Sequence, residues 1–370
     1  MFGKTILKWI MLASNIVAAF FMLMTLVGTF INPDKLFFSA YFALAFPTFV
    51  FINIIFVLIW VLGRKWYFLL SLVILMLAST EIGDVFPIHF GKTEDIKPSK
   101  SFSLLSYNTM GCGKLEKHTK KRPNEVIQYI LNQNADIICI QEYAISDLDE
   151  YLTTKDIYRI FKNYPYKYIH LNSSSLTRHN GIATFSKFPI INKQFVNYES
   201  SFNSSIYTDI KIGSDTIRLV NNHLESNRIT EQDKAMPLKL KDKFDTENLT
   251  DITRHFSRKL GVAYKLRASQ ADSVAKVIET SPYKVLVCGD FNDVPASYAY
   301  TKIKGNLKDV FSETGIGFGF TFEDKFYHFR IDYILYDSDT FIPYDFNTDK
   351  VKYSDHYPIQ CRIGFNSIDK

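Results

Sequence analysis

Lys284-Val285-Leu286-Val287-Cys288-Gly289-Asp290-Phe291-Asn292-Asp293 is the stretch on which the fold of the C-terminal two-thirds turns. Val285 to Cys288 form an unbroken apolar run, the pattern of a strand covered on both faces. Gly289 then permits close approach of backbone or ligand, and Asp290 and Asn292 fall on one side if the chain stays extended. A turn that merely ends a strand would use the same residue types, so the meaning of the stretch depends on whether its design recurs.

It does recur. Phe102–Tyr107 is a short apolar strand pattern ending at Asn108, with Gly111 and Gly113 in the loop beyond. Asp136–Ile140 ends in Gln141 and Glu142. Ile182–Phe185 is a further apolar strand, Thr216–Val220 runs on to Asn222-His223-Leu224-Glu225-Ser226, and Ile331–Leu335 follows Arg330 and carries Asp332 inside an apolar run. Burying that carboxylate costs several kcal/mol unless a histidine or a cation compensates. Between these strands, Pro123 at a first turn with Val126, Ile127, Ile130 and Leu131 predicts a helix, as do Leu266, Ala271, Val274, Ala275 and Ile278 within Tyr264–Glu279. The pattern predicts a layered α/β domain whose strand ends gather polar groups at one rim. The polar stretch from Ser226 to about Leu260 reads as an insertion over the edge of that rim, or as a solvated helix.

The remainder of the chain is of another kind. Apolar residues make up 47% of the 370, and the first 80 hold the excess. Ile6–Ile31 and Leu36–Leu62 are long enough to cross a hydrocarbon core of about 30 Å, and Trp66–Ser79 is a shorter third run. Lys4 and Lys8 before the first run, with Arg64 and Lys65 between the second and third, place the amino terminus in the cytoplasm and, after three crossings, the rest of the chain outside. The expected organisation is a membrane anchor over 1–82, a linker over 83–100 and a catalytic domain over 101–370. Polar groups within the apolar runs are few, Ser14, Asn15, Thr25 and Asn53 among them, which argues for anchoring over transport. Cys112, Cys139, Cys288 and Cys361 have no metal-ligand spacing and read as buried thiols. The net charge of +5 favours an anionic partner without choosing one.

The last cluster is Ser354-Asp355-His356-Tyr357-Pro358. With Asn108, Glu142, His223, Asp290, Asn292 and Asp332, it completes a set of hard oxygen ligands and two imidazoles, suited to Mg²⁺ or Mn²⁺ and to phosphoester hydrolysis. The ordered series Ser106-Tyr107-Asn108, Gln141-Glu142, Asn222-His223-Leu224, Gly289-Asp290-Phe291-Asn292, Arg330-Ile331-Asp332-Tyr333 and Ser354-Asp355-His356-Tyr357-Pro358 resembles the endonuclease/exonuclease/phosphatase superfamily, of deoxyribonuclease-I-like fold, across Ser101 to Gly364. The likeness is to a membrane-anchored, bacterial-type member.

That resemblance implies a four-layered α/β sandwich, here preceded by three transmembrane helices. It implies metal ligation by Glu142 with Asn108 and Asp355, and catalysis by His223, Asp290, Asn292, Asp332 and His356. Asp290 and Asn292 would position the attacking water and the phosphate, Asp332 would orient His356, and His223 would serve the leaving oxygen or the transition state. The acidic residue that orients the first histidine in some relatives is not identifiable near Leu171–Gly181, where Arg178 or His179 is a phosphate contact or part of a surface loop.

The expected substrates are phosphoesters: nucleic acid, as a nuclease-type phosphodiesterase would take, or a lipid headgroup or small ester beside the bilayer. No protein partner is indicated, and a scaffold that keeps the fold without activity is the reading from another class. Lys234, Lys239, Lys241 and Lys243 speak for the first substrate, and Phe318, Phe320, Phe322, Phe326 and Tyr327 for the second, unless the aromatics are strand core.

Overall fold

The computed structural model describes residues 2–36, 38–89, 100–200, 202–239, 246–325 and 327–366. Residues 90–99, Lys241, Lys243, Phe326 and the side chains of Lys4, Lys234 and Lys239 lie outside what is described.

Two six-stranded sheets form the C-terminal domain. In chain order the strands are β1 (Ser101–Asn108), β2 (Ile137–Ser146), β3 (Tyr166–Ser174), β4 (Arg178–Ser186), β5 (Ile190–Phe195), β6 (Ser204–Ile212), β7 (Asp215–His223), β8 (Lys284–Asp290), β9 (Lys308–Asp309), β10 (Phe322–Glu323), β11 (His328–Phe329), β12 (Asp332–Tyr336), β13 (Phe341–Thr348) and β14 (Ile359–Phe365). One sheet has the order β13-β14-β1-β2-β4-β3 and the other β5-β6-β7-β8-β12-β9, while β10 and β11 make a separate hairpin.

The inner faces of the two sheets share one core, in which Phe102, Leu104, Ile137 and Cys361 meet Ile217, Leu219, Leu286 and Ile334. Val126, Ile127 and Ile130 cover the outer face of the first sheet. Ala271, Val274, Tyr300 and Ile303 cover that of the second. The result is the expected four-layered α/β arrangement. Helix Glu125–Asn132 is capped by Asn124, whose side chain accepts from Ile127 N–H, so Pro123 precedes the cap instead of lying in the first turn. The helix expected over Tyr264–Glu279 begins earlier, at Thr246. All four cysteines are buried and unpaired.

The amino-terminal unit holds α1 (Phe2–Phe30), α2 (Ser39–Leu62), α3 (Phe68–Leu77) and α4 (Ser79–Val85). Thr5–Phe30 and Ala40–Leu62 are each long and apolar enough to cross a membrane. The third expected span is not one helix. It breaks after Leu77, and α3 and α4 are bent by 66°. At about 1.5 Å per residue, α3 alone covers about 15 Å, half a hydrocarbon core. The break falls where Ser79, Thr80 and Glu81 replace the apolar run, and α4 then lies against the C-terminal domain through Asp84, which receives Lys304 Nζ at 2.7 Å.

A chain of neutral hydrogen bonds ties the three long segments together. Trp60 Nε1 donates to Asn15 Oδ1 at 3.0 Å, Asn15 Nδ2 to Ser71 Oγ at 2.6 Å, and Ser71 Oγ to Asn53 Oδ1 at 2.8 Å. The domain does not hang from this unit on a free tether. Asn32, between α1 and α2, donates to Asp272 Oδ2 at 3.1 Å, and Tyr41 OH donates to the Ser257 carbonyl at 2.6 Å. Ala296 packs with Met22, Leu26, Phe46 and Ala78. Residues Phe86–His89 of the expected linker also dock, with Ile88 bridging Ile316 and Gly317 N–H donating to the Pro87 carbonyl at 3.0 Å.

Candidate active site

Backbone register collects the polar strand ends. β1 and β2 are parallel with Asn108 opposite Gln141, and β7 and β8 are parallel with His223 opposite Asp290. Four carboxyl ends therefore open on one rim. β12 is antiparallel to β8 and begins with Asp332 opposite Asp290. His356 enters from the same rim, just before β14, which is antiparallel to β1.

Local backbone features aim the side chains. A register shift between Ile140 and Tyr143, with Glu142 at φ 49°, turns the Glu142 carboxylate out of the sheet. Gly289 has φ 123°, and a Cβ there would lie 2.1 Å from the Asn222 carbonyl oxygen, so no other residue keeps β7 and β8 this close. Asn292 is not extended as expected but left-handed at φ 53°, and it still faces Asp290 because its own N–H donates to Asp290 Oδ1 at 2.7 Å.

Asp290 Oδ2 is the hub. Around it stand Asn108 Nδ2 at 2.9 Å, Asn292 Nδ2 at 3.1 Å, His356 Nε2 at 3.7 Å and His223 Nε2 at 3.8 Å. Asn108 Nδ2 also donates to Glu142 Oε1 at 3.2 Å, and Glu142 Oε1 is 3.7 Å from His223 Nε2. His356 Nδ1 pairs with Asp332 Oδ2 at 2.9 Å, and the Asp332 N–H is itself held by Thr321 Oγ1 at 3.0 Å. Asp355 lines the same cleft, with Ser354 Oγ 3.3 Å from its Oδ1 and 2.8 Å from the Asn108 carbonyl oxygen. All eight expected site residues thus lie around one cleft. Arg178 reaches its edge, close enough to favour the ionised Glu142. His179 turns away to Asp147 at 2.9 Å.

Burial and mutual charge set the protonation states. Burial pushes the Asp290 carboxyl up to about 6, with Asp332 adding to the rise and the two histidines opposing it. Burial disfavours a charged His356, but Asp332 and Asp290 outweigh it and raise that imidazole to about 10. Burial holds His223 below the usual histidine range despite Asp290. Burial and then Asp355 push Glu142 upward, although its side chain keeps 40% of its surface open to the cleft, where water moderates the effect.

Carboxylates crowded to this degree suit a hard cation. Among the described residues, ligand atoms of Asp290, Asp332 and His356 lie within 4.8 Å of one another. Glu142 and Asp355 add carboxylates along the same cleft, so the donor set fits a divalent metal.

A family profile described as "Endonuclease/Exonuclease/phosphatase family" matches residues 105–356. The chain belongs to that family. As a family member with this acid and imidazole cluster, it is a phosphoric ester hydrolase. Residues 8–84 match a second profile, a domain of unknown function, DUF8431. The chain is 27% identical over 263 residues to the CCR4-Not complex 3'-5'-exoribonuclease subunit Ccr4 of Candida albicans, a match that covers 62% of this chain and 32% of that protein, about a third of its length. Among solved structures, the human Nocturnin catalytic domain with bound sulfate is 15% identical, with a TM-score of 0.49, covering 72% of this chain and 95% of that one. An endonuclease/exonuclease/phosphatase of Beutenbergia cavernae is 13% identical, with a TM-score of 0.49 and 72% of each chain covered.

Three supporting residues of this family member escape sequence reasoning. Asn203, not an acid, holds the first histidine, its Nδ2 2.9 Å from His223 Nε2. Thr321 holds Asp332. Arg267 is fully buried and donates to the Glu225 carbonyl at 2.9 Å, Asp293 Oδ2 at 2.8 Å and Asn227 Oδ1 at 2.6 Å, fastening the loops after β7 and β8 to each other. A signal for Arg267 existed, because it shares a helical face with Ala271, Val274 and Ile278, where a charge is out of place.

Proposed function

We propose that this chain is a membrane-anchored, divalent-metal-dependent phosphodiesterase. The observation that carries the reading is the convergence of Asn108, Asn292, His223 and His356 on Asp290 Oδ2, with Glu142 bonded to Asn108 and Asp332 to His356. Glu142, Asn108 and Asp355 would hold Mg²⁺ or Mn²⁺, which supplies charge neutralisation at the phosphate. Asp332 fixes His356 through Nδ1, leaving Nε2 toward Asp290 and the cleft. With its pKa raised to about 10, His356 is an imidazolium at neutral pH and donates to a phosphoryl oxygen. Asp290, raised to about 6, is ionised at neutral pH and takes the proton of the attacking water, which Asn292 helps to orient. His223, kept neutral by burial and held by Asn203 at Nε2, would stand beside the leaving oxygen.

Two readings of the substrate follow from the same centre, a nuclease-type diesterase like the exoribonuclease relative and a lipid-headgroup or small-ester diesterase. The anchor, linker and catalytic domain would divide at 82 and 100. The domain would face the extracytoplasmic side, and what supports this is the distribution of charge: Asn32 and Asp84 touch the domain, whereas Lys8 lies 5.2 Å from the Tyr67 ring, beside Arg64 and Lys65, at the other end of the helices.

The test is hydrolysis of a diester panel (DNA, RNA, phospholipid and bis-p-nitrophenyl phosphate) by the full chain in detergent with Mg²⁺ or Mn²⁺. Turnover that disappears with chelator and in His356→Ala supports the reading. A folded, metal-loaded protein that turns over no diester refutes it.

A further inference from the structure

The catalytic cleft, about 460 Å³ in volume, is not closed by the catalytic domain alone. One wall holds Glu142, Asp290, Asn292, Asp355 and His356. The lining also has an apolar part, which includes Leu44 of α2 together with Phe256, Leu260 and Tyr264 of helix Thr246–Glu279. Leu44 belongs to Ala40–Leu62, one of the two stretches long and apolar enough to cross a membrane, and lies near its start. The first turn of α2 is held there by Tyr41, whose hydroxyl bonds the Ser257 carbonyl and whose ring meets Tyr264 edge-on at 5.4 Å. The site therefore opens where a membrane helix begins.

A second apolar feature lies in the segment that leads into β10, whose Phe322 lines the cleft. Phe318 and Phe320 stack at 5.4 Å and are 41% and 39% exposed, contrary to the alternative that they are strand core. Phe86 packs edge-on to Phe318 at 5.0 Å, and Ile88 and Ile316 beside them are more exposed still. This ridge starts where the chain leaves α4, at the level expected of aromatic residues in a membrane interface. A nucleic-acid strand would need several cations along the cleft. Among the described residues lining it, Arg228 is the one lysine or arginine, paired with Glu225 at 2.5 Å, and Arg178 adds one more at the edge.

We infer that the substrate is an amphiphilic phosphoester taken from the bilayer, its phosphate at Asp290 and His356 and its hydrocarbon against Leu44, Phe256 and Leu260. This rests on the phosphodiesterase reading and adds the substrate class to it. Any bilayer lipid with a phosphoester headgroup has the required chemistry.

The test uses the full chain in lipid nanodiscs with Mn²⁺, and follows inhibition of bis-p-nitrophenyl phosphate hydrolysis by ethyl, butyl, hexyl and octyl phosphate and by an oligonucleotide. The inhibition constant is expected to fall at least tenfold from ethyl to octyl phosphate. That gain is expected to shrink severalfold in Leu44→Asp and in Leu260→Asp and to return in Leu44→Met. The oligonucleotide is expected to bind no better than ethyl phosphate. An inhibition constant indifferent to chain length, or a gain unchanged in both aspartate variants, which marks partitioning into lipid alone, overturns the inference and leaves the phosphodiesterase reading standing. Tighter inhibition by the oligonucleotide does the same and points to nucleic acid. Absence of any bis-p-nitrophenyl phosphate hydrolysis removes both.

Discussion

The long amino-terminal helices and the candidate catalytic rim both bury polar side chains, and they do so in opposite ways. In α1, α2 and α3 the buried polar groups are neutral, and the chain Trp60–Asn15–Ser71–Asn53 is hydrogen-bonded from end to end. At the rim they are acids and imidazoles whose protonation is displaced by burial and by each other. Neutral, satisfied groups specify how helices meet and demand nothing further. Buried charges that remain close to one another keep a standing demand for a cation or an anionic substrate, and that demand is the chemistry.

The largest expected effect would break this contrast outright. Asp290→Asn or His356→Ala should lower kcat on a soluble diester by about 10³-fold or more with an unchanged circular dichroism spectrum; a loss below tenfold would remove both from the reaction. Next, Arg267→Met leaves Asp293 buried without its partner and should destabilise the catalytic domain by about 3 kcal/mol, read from chemical unfolding followed by tryptophan-independent far-ultraviolet signal. Asp332→Asn sharpens the electrostatic side. In metal-free protein the His356 ring should titrate far above the usual histidine range, since its folded pKa is raised to about 10 by Asp332 and Asp290, and the substitution should move that titration downward in an NMR pH series. An unmoved titration would mean that Asp332 does not hold the imidazolium.

For the neutral network, Asn15→Leu should cost about 1–2 kcal/mol of stability in detergent and leave the soluble-diester kcat unaltered. A change in kcat would show the two regions to be coupled. The smallest effect concerns an acid remote from both. Burial works to raise the Asp136 pKa, but hydrogen bonds from Ser103 and the Lys187 ammonium outweigh it and lower it. A depressed folded pKa stabilises above the unfolded value of about 3.9 and loses that contribution as pH falls through the folded value. Asp136→Asn should therefore be less stable than wild type at pH 6 and converge with it as pH falls through the lowered folded value.

Much of the site was legible because strand ends announce themselves. Asn108, Glu142, His223, Asp290, Asn292 and Asp332 each follow or interrupt an apolar run, where a polar residue needs a reason, and Asp355 and His356 stand just before the apolar strand Ile359–Phe365. Asn203 and Thr321 had no such mark, since they act only through partners 20 and 11 residues away. Arg267 was visible as a charge on an apolar helical face, but its partners in two loops were not. The third membrane segment shows the reverse error. Its composition reads as apolar from Trp66 to Ser79, yet the helix ends at Leu77 and turns by 66° into α4, whose contacts with Lys304 and Arg330 hydropathy cannot register.

The sequence by itself determined the layered α/β class, the apolar amino-terminal unit and the polar residues that gather around the cleft, because hydrophobic period and residue type are local properties of the chain. Only the tertiary structure decided that Asp290 stands at the centre, that Asn203 holds His223 and that Leu44 closes the catalytic cleft. Those facts depend on register between strands and on docking between segments more than two hundred residues apart, and no local pattern encodes them.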